Sequence, residues 1–191
     1  LAAMTWAPLA GATGVSLALS APQATGGSSV TMRITLDAAA PTGGTTVLLA
    51  SSQPGVTIVD ATSGTAISSV IVPAGGRSRD VAIRTTPVAA GVAAQLTAAV
   101  PSGKAAVILN VLAPAVLSLR LAADSAVGGN PIAVSVTLSG PAPRGGYPVA
   151  LSSKTLPLDP RAGLVVPERA TTATAQLATQ QPAACRSASR I

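Results

Sequence analysis

The sequence predicts an all-β chain built from two tandem β-sandwiches, and three observations lead there. First, a 26-residue stretch occurs twice: GGSSVTMRITLDAAAPTGGTTVLLAS at 26–51 and GGNPIAVSVTLSGPAPRGGYPVALSS at 128–153 align without a gap at an offset of 102, with eleven identical pairs. Second, apolar residues alternate with polar or small ones in each copy, as Val30, Met32, Ile34 and Leu36 in the first and Ile132, Val134, Val136 and Leu138 in the second. That period of two belongs to half-buried antiparallel strands, and no 3.6-residue pattern competes with it. Third, each run ends in Ala-Pro-x-Gly-Gly, at 40–44 and 142–146, where proline presets φ and glycine takes positive φ without strain. The identical pairs fall on turn glycines, a turn proline and inward apolar positions, the residues that a backbone shape used twice requires twice.

Taken in order, residues 1–14 form a leading segment, or the tail of a preceding repeat, because Thr5-Trp6-Ala7-Pro8 is similar to Val111-Leu112-Ala113-Pro114. The first unit spans 15–113 and opens with Val15, Leu17 and Leu19 facing inward. Strands follow near 29–37 and 45–51, on either side of the Pro41–Gly44 corner. Residues 53–64 are polar and turn-rich around a short apolar patch at Val56–Val59. Strands near 66–72 and 78–86 flank Pro73-Ala74-Gly75-Gly76, and a final pair near 93–100 and 105–112 is joined at Pro101-Ser102-Gly103-Lys104. About seven evenly spaced strands with turn signals between them predict a sandwich. The second unit spans 114–182, opening with Leu117, Leu119 and Leu121, and 183–191 is an irregular tail. The short Ala113-Pro114-Ala115 junction predicts little bending between units.

The second unit is expected to be incomplete. The first closes with Val92 to Val111, whereas only Ala-Ala-Cys-Arg-Ser-Ala-Ser-Arg-Ile follows Pro182, without the alternation or length of two strands. Their loss is expected to expose Val134, Val136, Leu138, Val149 and Leu151 and to leave unpaired strand edges.

Composition sets further bounds. Eighteen glycines and 16 prolines in 191 residues are too few to argue disorder, and a hydrophobic fraction of 48% supports a packed interior. With no Phe, one Trp and one Tyr, that interior is built from Val, Leu, Ile and Ala, so each unit is expected to be only modestly stable. The net charge of +6 comes from 12 basic residues spread over both units without interleaved aromatics, which argues against nucleic-acid binding. The single Cys185 forms no intrachain disulfide. Residues 1–14 carry no basic residue and give no signal-peptide pattern. The most apolar run, AAVILNVLAPAVLSLRLAA at 105–123, is broken by Asn110, Pro114 and Arg120 and reads as two strands around a linker rather than a transmembrane segment.

The order Val-x-Leu-x-Leu, Gly-Gly, alternating strand, Ala-Pro-x-Gly-Gly, Val-x-Leu-x-Ser, then Val72-Pro73-Ala74-Gly75 and a Thr-rich strand resembles the bacterial immunoglobulin-like repeats of secreted and cell-surface proteins. The resemblance covers 15 to about 180, with Val166-Pro167-Glu168-Arg169 departing from the first copy's turn. It implies tandem immunoglobulin-like β-sandwiches at an extracellular or cell-surface location, with neighbouring repeats of a longer array as partners and a structural or adhesive role.

Candidate sites are few. With no His and one Cys, no Ser/His/Asp or Cys/His set can form. Asp37, Asp60, Asp80, Asp124, Asp159 and Glu168 are scattered singly, so neither paired-carboxylate catalysis nor a metal cluster is expected, and no cofactor. The junction Leu112–Leu117 holds no acid for calcium, and the paired glycines join strands rather than strand to helix, against a phosphate loop. A cell-surface glycan or protein is the remaining ligand class. Its candidate contact is Tyr147, which stands where the first copy has Thr45 and is therefore not required by the turn; the other aromatic, Trp6, lies in the leading segment. The sequence expectation is that Tyr147→Thr leaves thermal unfolding nearly unchanged. A spacer attached to a catalytic domain outside this chain is the third reading.

Overall fold

A computed structural model describes residues 14–123, 130–152 and 163–177. The chain is all-β and divides into two compact units, Leu1–Ala113 and Pro114–Ile191. Within the first, β1 (Val15–Leu19), β3 (Ser29–Leu36), β7 (Ser78–Thr85) and β5 (Val56–Asp60) form one antiparallel sheet in the order β1-β3-β7-β5. The other sheet runs β2-β9-β8-β4-β6, from β2 (Gln23–Thr25), β9 (Gly103–Leu112), β8 (Val92–Val100), β4 (Thr45–Ser51) and β6 (Ser69–Val72).

The alternation in the sequence becomes the inside and outside of this sandwich. Met32, Ile34 and Leu36 of β3 meet Val81 and Ile83 of β7 from one sheet, and Val47, Leu96 and Leu109 from the other, in one core. Ala94 and Ala98 of β8 are fully buried beside them. The two-residue loop Pro101-Ser102 pairs Val100 with Gly103 and fixes the register of the β8–β9 hairpin.

Among the described residues nine strands form in this unit, where the sequence indicated about seven. The additional ones are β2 and β5. The patch at Val56–Val59 is a strand paired with β7, with Val56 and Ile58 in the core. After it the chain crosses to the opposite sheet: Val59 bridges Ala66, Ile67 donates its N–H to the Ile58 carbonyl, and Leu49 donates to that of Ser68. The strand expected near 66–72 therefore begins only at Ser69.

The second unit contains β10 (Val116–Leu121), β11 (Ile132–Leu138), β12 (Tyr147–Ala150), β13 (Gly163–Val166) and β14 (Thr172–Leu177), in sheets β10-β11-β14 and β12-β13. Its registers repeat those of the first. Leu119 opposes Val136 as Leu17 opposes Ile34, and Ile132 opposes Leu177 as Val30 opposes Ile83. Tyr147 opposes Val166 as Thr45 opposes Val72. One irregularity separates them: β10 carries a register shift between Val116 and Ser118.

The expected exposure of the inner row does not occur. Val134 and Val136 are fully buried, and Leu138 and Val149 are buried too. Val136, Leu138, Ala142 and Val149 join Leu164 and Val166 of β13 in one cluster, with Leu151 partly buried beside them. Residues 183–191, where the last two strands were expected to be missing, lie outside the described residues, as do Trp6, Asp124, Asp159 and Cys185.

Candidate functional site

Tyr147, the one candidate contact, is positioned by the corner before it. Gly146 donates its N–H to the Pro143 carbonyl at 2.9 Å, closing the turn. Gly146 has φ 83°, and a Cβ there would lie 2.8 Å from the Val166 carbonyl oxygen and the Val165 Cγ1. Gly44 repeats this at φ 80°, with the Val72 carbonyl oxygen 2.8 Å from the position of a Cβ. Both conformation and space exclude a side chain, which is why the glycine stands in both copies. The next residue opens β12, so Tyr147 sits at the start of the strand, opposite Val166 in the register and partly buried against the second unit's core cluster. A rim position with half-buried packing is also what the sequence favours for this residue, and on this packing Tyr147→Thr is expected to lower the stability of the second unit measurably, because it removes apolar contact from a small core.

The turn where the second copy departs keeps the backbone of the first. Gly76 donates to the Pro73 carbonyl at 2.9 Å and Ala170 to that of Pro167 at 3.0 Å; Gly75 donates to Ala40 and Arg169 to Ala142 in the same way. Arg169 consequently adopts φ 63° where Gly75 has φ 78°. A left-handed arginine costs about 1–2 kcal/mol. Its side chain gives little back, since its ion pair with Glu168 is long, at 3.8 Å, and the side chain is 85% exposed. Arg169→Gly is therefore expected to stabilise the second unit by about 0.5–1 kcal/mol after the greater unfolded-state freedom of glycine is subtracted. Chemical denaturation checks it, and a loss of stability would show that the arginine makes a contact of real value.

The charged groups serve turns and strand faces. Asp60 Oδ1 accepts the N–H groups of Ser63 and Thr62, each at 2.9 Å. These bonds, with a smaller contribution from Arg79, hold its carboxyl below the usual carboxylate value. Arg33 pairs with Asp80 at 3.1 Å across β3 and β7, with both side chains largely exposed, a geometry that contributes little to stability. Asp37, Asp60, Asp80 and Glu168 are not brought together, and no group of three His, Cys, Asp or Glu residues gathers among the described residues. The buried polar side chain of Thr85 is satisfied locally: its hydroxyl donates to the Ser28 carbonyl at 2.8 Å and accepts from the Gly27 N–H. Among the described residues no helix is long and apolar enough to cross a membrane. The chain matches no protein-family model, and no curated protein matches it.

Proposed function

We propose that the chain is a noncatalytic structural spacer or adhesive segment, made of immunoglobulin-like repeats, in an extracellular bacterial surface or secreted protein. The observation that carries this reading is the repetition of one strand register in two consecutive units. Leu119/Val136 matches Leu17/Ile34, and Tyr147/Val166 matches Thr45/Val72, even where sequence and loop length differ. What is kept between the copies is shape. The outward side chains vary in chemistry, such as Thr42 against Arg144 and Arg33 against Ser135, while the inward rows stay aliphatic. An array selected for its framework keeps turns and inward rows in this way, whereas a binding module repeats its contact residues.

The rival reading, a glycan- or protein-binding module, rests on the partly exposed Tyr147 at the rim of β12. A glycan array probed with the labelled chain separates the two. The spacer reading expects no reproducible ligand. A glycan bound by the parent and lost in Tyr147→Thr, with circular dichroism showing that the variant remains folded, would overturn it in favour of the binding module.

A further inference from the structure

We infer that the first unit pairs with a second copy of this chain through the outer face of its five-stranded sheet, two such faces meeting across a two-fold axis. Two independent observations point to it. The first is where the charge lies. Among the described residues, six in the strands of this unit are charged, and Arg33, Asp60, Arg79, Asp80 and Arg84 all belong to β3, β5 and β7 of the four-stranded sheet. The five-stranded sheet has Lys104 alone, at the start of β9. Its outer face carries apolar side chains instead. Leu48 of β4, Ile71 of β6 and Ile108 of β9 alternate with inward residues and are 61%, 57% and 56% exposed. A solvated sheet face is ordinarily polar, as the opposite one is, with Ser29, Thr31 and Arg33 exposed along β3.

The second observation is the relief of that face. Ala50, Thr97 and Ala106 stand side by side across β4, β8 and β9, through the pairs Ala50↔Thr97 and Thr97↔Ala106. Leu48 lies one row to one side, opposite Ala99, and Ile108 one row to the other, opposite Gln95. The face thus holds both projections and a low row of its own, and a two-fold-related copy can set the first into the second. Its size suffices as well. Four strands about 4.8 Å apart, the longest pair built on the nine residues of β8, cover roughly 20 by 30 Å. That is about 600 Å² from each copy, at the small end of specific interfaces.

The occupant follows from the same charge pattern. A strongly charged partner finds one ammonium group to engage on this face, whereas a second copy presents the same uncharged surface and buries no carboxylate or guanidinium. The inference goes beyond the structural role proposed above, and a glycan bound at Tyr147, in the other unit, would leave it untouched.

Sedimentation equilibrium of the whole chain tests it. Monomer and dimer are expected with a Kd in the micromolar range, unchanged between about 0.05 and 0.5 M sodium chloride because no ion pair holds the contact. Leu48→Asp and Ile71→Asp, at exposed positions on two different strands, are each expected to raise the Kd about tenfold or more, since each buries an unpaired carboxylate. Circular dichroism shows that the variants stay folded, and Thr31→Asp, exposed on the opposite sheet, is expected to leave the Kd as it was. A chain that stays monomeric up to roughly 1 mM would overturn the inference. So would a dimer that neither substitution weakens, or one that salt dissociates, which would place the contact on the charged sheet. A dimer dissociated by Leu119→Asp, at a half-exposed position of β10, and not by Leu48→Asp would also overturn it, assigning association to the second unit.

Discussion

Replacing Ile34 with alanine is expected to destabilise the first unit by about 3–4 kcal/mol. Ile34 is fully buried at the middle of β3, with β1 paired on one side and β7 on the other. Its surroundings are aliphatic, and the largest fully buried side chains are Met32, Ile34, Leu36, Ile83, Leu96 and Leu109. Aliphatic chains anchored on paired strands close poorly over the three carbons lost, so the cavity persists and adds to the transfer cost. Val136 occupies the same place in the second unit and is equally buried. Val136→Ala is expected to cost about 2 kcal/mol, because fewer carbons leave. Hydrogen exchange resolved by segment reads the two separately, with 29–36 responding to the first substitution and 132–138 to the second. A loss below about 1 kcal/mol for Ile34→Ala would mean that the core is loosely packed.

The second large effect is expected at Gly44. Gly44→Ala must hold φ 80° and push a methyl group to 2.8 Å from the Val72 carbonyl oxygen, which belongs to the β4–β6 ladder and cannot move alone. A loss of about 2–4 kcal/mol is expected, as backbone strain and steric displacement combine. Gly43→Ala is the control within the same turn. Its φ is 101°, but nothing lies within 4 Å of the added carbon, so the cost is strain alone, about 1–2 kcal/mol. Thermal unfolding of the two variants side by side measures the difference. Equal losses would assign the whole effect to φ and none to the approach of β6.

Strands β3 and β4 were legible because their inward apolar rows flank the Ala-Pro-x-Gly-Gly corner, β7 because Val81 and Ile83 follow the Pro73–Gly76 turn, and β8 because its inward row runs up to the Pro101–Lys104 turn. Strand β2 was not, since Gln23-Ala24-Thr25 has no apolar period and exists only because β9 pairs with it. Strand β5 hid in a polar stretch, its Val56 and Ile58 meaningful only once β7 supplies the partner. The Arg169 turn shows a different limit. Nothing in Pro-Glu-Arg-Ala announces a positive φ; the requirement comes from the hydrogen bond between Arg169 and Ala142, a contact spanning 27 residues. Tyr147 could be singled out by comparing the copies, but its partial burial depends on Val166, which the repeat offset does not align with it. Likewise β1 and β10 have the same inward pattern, and only their neighbours determine that Leu17 is packed against its core while Leu119 is half exposed.

The parallel contact between β2 and β9 has a mechanical consequence. Gln23, Ala24 and Thr25 run alongside Asn110, Val111 and Leu112, with Asn110 donating to the Pro22 carbonyl and Gly26 to that of Leu112. Tension applied between the ends of the first unit draws β2 back along its own axis and β9 forward along the same line. Once β1 has peeled from β3, these cross-strand bonds are loaded together in shear instead of parting one at a time like a zip. A three-residue strand that sets only Ala24 against the core thus sits where a stretched unit yields, and its resistance comes from the direction of its bonds more than from their number.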